Sequence, residues 1–122
     1  MTPAGAGMDG GVDGGPDGGL DLAAVRDAAG SVPDPEIRRT LAELDLLDQV
    51  EADGGRVTVR YHLTSPLCPS PFAIDIGREV RRRVEQLDGV ESCRVVIQDH
   101  FIAEEIARQV NDGPVSAAPA WL

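Results

Sequence analysis

A strongly alternating run, Arg56-Val57-Thr58-Val59-Arg60-Tyr61-His62-Leu63, leads into a proline-punctuated loop, Thr64-Ser65-Pro66-Leu67-Cys68-Pro69-Ser70-Pro71, after which the apolar residues recur with a helical period. Val57, Val59, Tyr61 and Leu63 fall on one face of a strand, and Thr58, Arg60, His62 and Thr64 fall on the other. Phe72, Ala73, Ile76, Val80, Val84 and Leu87 then mark the buried stripe of a long helix, with Arg78, Arg81 and Arg82 outside it as a solvated face. Asp88-Gly89 stops that helix, and the valine-rich stretch from Val90 to Ile97 reads as another strand. Strand, helix and strand in this order cross over right-handed and set the second strand parallel to the first.

The flanking segments complete a small domain. Asp21 caps a short helix with Leu22, Val25 and Ala29 on one side and Gly30 as its stop. Asp34-Pro35-Glu36 spells a second helix start, with Ile37, Leu41 and Leu44 on one face. Asp53-Gly54-Gly55 joins the segment from Leu47 to Glu51 to the alternating strand as a hairpin. A last helix runs from His100 to Val110, with Ile102, Ile106 and Val110 inside and with His100 and Glu104 four residues apart. The expected fold is a small α/β (α+β) domain: a three-stranded mixed sheet with a hairpin, a right-handed β-α-β crossover and flanking helices.

Length allows one such domain and no second. Residues 1–19 repeat Gly-Gly-Val-Asp and Gly-Gly-Pro-Asp with little to bury, which is the composition of a disordered acidic tail. Residues 20–112 hold the domain, and residues 113–122, with Trp121, read as a flexible C-terminal tail. The opening has neither a basic nor an apolar signal region, two cysteines make no disulfide framework, and no apolar run spans a bilayer. A reduced, cytoplasmic protein is expected. The net charge is -10, with 21 acidic residues against 11 basic ones, every one of them arginine. Such a surface repels phosphate backbones, so nucleic acid is excluded as a partner. The missing lysine fits a chain kept soluble at high salt, a halophile's, and fits GC-rich coding equally well.

The two cysteines differ in setting. Cys93 is in phase with Val95 and Ile97 on the apolar face of its strand and reads as an inert core residue. Cys68 lies just before a helix for which Ser70 is the expected N-cap and Pro71 the first residue. There the free N–H groups and the dipole lower a thiol's pKa and make it a ligand or nucleophile. His62 reads as a solvated strand histidine.

Together, Asp34-Pro35-Glu36, the segment from Thr40 to Leu47, Leu63-Thr64-Ser65-Pro66-Leu67-Cys68-Pro69, and Leu87-Asp88-Gly89-Val90 before a valine-rich strand resemble the MIP-eighteen family (domain of unknown function fifty-nine). That family includes SufT-like and PaaD-like proteins, and the match covers about residues 21–112 in order and spacing. The resemblance implies a small α/β domain that helps mature iron-sulfur proteins. Its implied partners are a scaffold or P-loop carrier ATPase and apoprotein clients. It makes Cys68 the reactive cysteine, Thr64 the hydroxyl residue before the loop, Asp34 and Glu36 the acidic pair, and His100 with Glu104 or Glu105 the late His and Glu. The chain departs from the family at Asp45 and Leu67, where many members have Gly; nothing in it resembles the cysteine-bearing C-terminal part of PaaD-type proteins, which leaves a PaaD-like maturation factor as the lesser alternative.

A single loop thiol cannot hold a stable cluster, which takes about four ligands of thiolate type. What remains is transient carriage of a cluster or of iron. Either a homodimer shares a cluster through paired Cys68 residues, or Cys68 gives one ligand to a cluster leaving a scaffold, with Thr64 and Ser65 hydroxyls steadying the thiolate. The rival readings are a thiol enzyme, for which the only candidate bases are His62 and His100, an adaptor that binds no metal, and a zinc site of Cys68, His100 and a carboxylate. No residue is assigned a catalytic role.

Overall fold

The computed structural model describes residues 20–65, 67–113 and 119; the two expected tails lie almost wholly outside these. Three helices, α1 (Leu22–Gly30), α2 (Ser70–Glu85) and α3 (Ala103–Asn111), accompany three strands, β1 (Leu47–Asp53), β2 (Arg56–His62) and β3 (Ser92–Gln98). The sheet order is β1-β2-β3, with β1 antiparallel and β3 parallel to β2. The mixed three-stranded sheet, the hairpin and the helical crossover are thus as the sequence implied. Gly54, with φ +61, and Gly55 form the two-residue hairpin loop; a Cβ on Gly55 would meet the Glu91 side chain at 2.6 Å.

Alternation decides which face is buried. Val57, Val59, Tyr61 and Leu63 from β2 and its exit, with Cys93, Val95 and Ile97 from β3, form one inner face. Ala73, Ile76, Val80 and Val84 of α2 and Ile106 and Val110 of α3 complete the core with it. Gly77 lets α2 and α3 approach, since a Cβ there would lie 2.6 Å from Val110 Cγ2 and 3.3 Å from Tyr61 Oη. Among the described residues no helix is long and apolar enough to cross a membrane.

Four expectations about local structure need correction. The helix expected from Asp34 does not form, because Arg38 takes φ +64 and the chain makes two separate turns. In the first, Asp34 Oδ1 accepts from the N–H groups of Glu36 (2.8 Å) and Ile37 (3.3 Å). The second opens with a reciprocal cap: Thr40 N–H donates to Glu43 Oε1 and Glu43 N–H to Thr40 Oγ1. It closes with Leu46 N–H on Leu41 O and Asp45 N–H on Ala42 O. With no helix to turn it inward, Ile37 is 42% exposed while Leu41 is buried.

The second correction concerns α2, which starts at Ser70 with Pro69 as its cap residue, one position earlier than expected. The third is the arginine run, which is only partly a solvated face. Arg81 is buried and donates through Nη1 to Val110 O (2.8 Å) and Gly113 O (2.9 Å), tying α2 to the end of α3. Glu79, fully buried, takes Arg82 and Arg83; burial opposes its charge, but the two guanidiniums hold its carboxyl below the usual range. The fourth is that α3 begins three residues after His100, so His100 and Glu104 do not share its first turn.

Candidate functional site

Cys68 sits where β2 hands over to α2. Leu63 is the last buried residue of the strand face, and the chain then turns through Ser65, whose carbonyl accepts the Cys68 N–H (3.2 Å) and whose Oγ accepts the Leu67 N–H (3.1 Å). Ser65 therefore shapes the loop instead of steadying the sulfur, and Thr64 is exposed. On the far side His100 Nδ1 accepts from Ile102 N–H at 3.1 Å, which leaves Nε2 as the protonated nitrogen, donating to Cys68 O at 2.8 Å. His100 is 8% exposed and its ring stacks on Phe101. With both nitrogens engaged it acts as a strut that holds the loop down. Neither a zinc ligand nor a base is free at that ring in this arrangement.

The closed loop changes the expected chemistry of the thiol. Cys68 is 4% exposed, and burial, followed by the negative charges of Glu36 and Asp34, pushes its pKa up to about 11. The expected depressed thiolate is not found: the helix dipole acts on a group that has lost its water and faces two carboxylates. The same repulsion shows that Asp34, Glu36 and Cys68 lie within electrostatic reach of one another, although more than thirty residues separate the acids from the cysteine. The hairpin returns the chain, and the bridge between Pro33 and Thr40 closes the base of the acidic loop.

Asp34 is the best-held member. It is 1% exposed, its amide N–H donates to Arg39 O, its carbonyl accepts from Arg38 N–H, and its Oδ1 closes the turn; only Oδ2 is left, buried and without a partner. Tyr61, unremarked in the sequence beyond its place on the inner face, is the second such group. Its hydroxyl is buried without a partner, and burial together with the Cys68 charge raises its pKa. A tyrosine in phase with core valines was the available signal, since a buried phenol needs a hydrogen-bond partner.

The remaining candidates lie elsewhere. Glu104 is exposed and lines a shallow groove between β3 and α3 with Arg94 and Arg108, and the exposed Glu105 pairs with Arg108 at 2.8 Å. The late His and Glu of the resemblance thus stand apart here, His100 buried against the Cys68 loop and Glu104 and Glu105 exposed on α3. His62, half-buried on the opposite sheet face, meets Asp48 at 2.9 Å where β1 shifts register. Among the described residues no three His, Cys, Asp or Glu side chains gather closely enough to hold a metal ion.

Comparison with known proteins bears on this geometry. The family model described as iron-sulfur cluster assembly protein matches residues 22–97, which include Asp34, Glu36 and Cys68. The chain is 32% identical over 72 residues to the iron-sulfur cluster carrier protein of Deinococcus radiodurans, covering 59% of this chain and 20% of that one. It is 36% identical over 74 residues to the protein of the same name in Mycobacterium tuberculosis (60% and 19%), and 33% identical over 79 residues to that of Synechocystis (64% and 22%). The chain thus spans about a fifth of the length of the curated relatives it matches.

Proposed function

This chain belongs to the iron-sulfur cluster assembly protein family, and from that premise we propose that it serves the assembly or transfer of iron-sulfur clusters as a binding protein, not an enzyme. Cys68 supplies the thiolate ligand, and Asp34 or Glu36 supplies a carboxylate to the iron. The cluster is cargo, received from a scaffold or P-loop carrier ATPase and passed to apoproteins in the cytoplasm. One observation carries this reading: a buried carboxylate oxygen of Asp34 without a partner, on the residue whose charge acts on the Cys68 thiol. Leaving such an oxygen unpaired costs about 1–3 kcal/mol or more, which an arriving cation offsets. A thiol that rests protonated under a loop held by a few hydrogen bonds suits transient carriage. Anaerobic iron-sulfur reconstitution followed by visible spectra tests it. Wild type is expected to gain sulfur-to-iron absorption and Cys68→Ser to gain none; equal absorption in both would remove Cys68 from the site.

The closed thiol and the fully engaged His100 favour one second reading, an adaptor that joins a carrier to its clients without touching the cluster. In that case Cys68→Ser leaves both partner binding and client maturation intact. The carrier reading has the variant keep binding and lose maturation.

A further inference from the structure

A site built on Cys68 is incomplete in one copy of the chain. A cluster takes about four ligands, while the other cysteine is buried in β3 and no three metal-binding side chains converge among the described residues. The surface around the site is unfinished as well. Leu67, beside Cys68, is 69% exposed, and Phe101, beside His100, is 67% exposed, the two most exposed large hydrophobic side chains among the described residues. The bond from His100 Nε2 to Cys68 O joins their two loops, so both apolar residues flank one junction. Ile37, next to Glu36, is the third such residue.

Building on the cluster-handling reading, we propose that two copies of this chain close over one two-iron, two-sulfide cluster, with Leu67 and Phe101 of each copy packed against the other. Once the loop that covers Cys68 (4% exposed) and Asp34 (1% exposed) opens in each copy, a two-fold axis delivers two Cys68 thiolates and two carboxylates, from Asp34 or Glu36, which makes up the set of about four ligands that neither copy has alone. The exchange balances without redox chemistry. A cluster arriving on small thiolates loses two of them as thiols, which carry off the two Cys68 protons, and two more as thiolates displaced by the carboxylates. The occupant is a second copy and not a basic partner, and salt separates the two. Copies of net charge -10 repel each other, so screening strengthens their pairing, whereas it weakens the docking of a cationic protein.

The test is anaerobic exchange from a preassembled glutathione-ligated two-iron cluster, followed by light-scattering chromatography and iron analysis. Apo wild type is expected at the mass of one chain, and loaded wild type at twice that mass with one cluster per pair, the more so at raised NaCl. Leu67→Asp and Phe101→Asp, at exposed positions outside the core, should each weaken pairing at least about tenfold, because a two-fold interface loses each side chain twice. A loaded single chain, a loaded pair indifferent to both substitutions, or pairing that salt weakens would overturn the shared cluster and leave the cluster-handling reading standing. Wild type that takes up no cluster would overturn both.

Discussion

Cys68 and Cys93 are nearly equal in exposure, 4% and 5%, yet they are buried by different means. Cys93 is a rung of the sheet: it lies opposite Val57 in the parallel ladder, and its N–H donates to Glu85 Oε2 at 3.1 Å. Cys68 lies in a loop closed by the Ser65 turn on one side and the His100 strut on the other. A residue covered by a few loop hydrogen bonds is exposed by local opening, whereas a rung of β3, paired to β2 and covered by α2, is exposed only when that strand leaves the sheet. Equal accessibility in the resting state therefore conceals unequal access in time, and only the cysteine that can be uncovered cheaply is fit to exchange a ligand.

The comparison breaks most directly with paired serine substitutions. Cys68→Ser should abolish cluster uptake and lower stability less than Cys93→Ser does, since a hydroxyl in the loop regains water by local opening. Cys93→Ser should preserve uptake but lower stability by about 1–3 kcal/mol, the cost of burying a hydroxyl in an apolar site. Visible spectra after reconstitution and urea titration of both variants give the answer. Uptake lost by Cys93→Ser at unchanged stability would reverse the assignment.

Asp34→Asn comes next. Its side-chain oxygen can still accept from the Glu36 and Ile37 N–H groups, so the turn survives. What goes is the negative charge near the thiol. Cluster uptake should fall without being abolished, and the effect should not add to that of Cys68→Ser, since both act on one site. The Cys68 pKa should move down from about 11, while that of Cys93 stays. Thiolate absorbance against pH in a Cys93→Ala background checks the shift.

The fold was legible because its elements are set by local patterns that tertiary contacts reinforce: alternation in β2, the apolar stripe of α2, and the glycines of the hairpin. The helix after Asp34 was misread because the same Asp that caps a helix also closes a single turn. The outcome turned on Arg38 taking a left-handed conformation, which no periodicity announces. Of the candidate site, the sequence offers Cys68 from its place before a helix, and Asp34 with Glu36 from the family resemblance. The thiol's protonation depends instead on desolvation by the loop and on charges brought in from distant sequence. Tyr61 and the contact of His100 with the Cys68 carbonyl exist only once β2, α2 and the turn before α3 have met.

Alkaline pH sharpens the contrast by titration. Both thiols have folded-state values above the ordinary 9.0, about 11 for Cys68 and about 12 for Cys93. The folded chain thus holds these protons more tightly than the unfolded one. The stability they lend is whole below pH about 9 and is lost as pH rises through the folded values. Urea midpoints measured up to pH about 11 should fall in wild type and fall less in Cys93→Ala and in Cys68→Ala, each of which lacks one of the two thiols. An identical decline in all three would mean that other groups set the alkaline limb.

His100→Ala attacks only one of the two covers. Loss of the bond to the Cys68 carbonyl, worth about 0.5–1.5 kcal/mol, should raise the rate of Cys68 alkylation severalfold to about tenfold. Peptide-resolved mass spectrometry reports both cysteines at once, so Cys93 serves as the control. Equal acceleration at both sites would show that the substitution loosened the whole domain and that the strut has no local role.

The smallest effect is expected at Asp45, in a part of the chain that should move stability without touching either thiol. Asp45 has φ +58 at the position where the turn from Thr40 closes, and its N–H and that of Leu46 reach back to Ala42 and Leu41. Glycine adopts this conformation without strain, which accounts for its frequency there in the family this chain resembles. Aspartate tolerates the left-handed region better than most residues, and glycine adds entropy to the unfolded chain, so the two terms nearly cancel. Asp45→Gly should therefore stabilise by no more than about 0.5–1 kcal/mol, with cluster uptake and the alkylation rate of Cys68 unchanged. A thermal melt beside the alkylation assay decides this. If Cys68 reactivity shifted with Asp45→Gly, opening of the loop would be coupled to the stability of the whole domain, and the distinction between a locally covered cysteine and a core cysteine would fail.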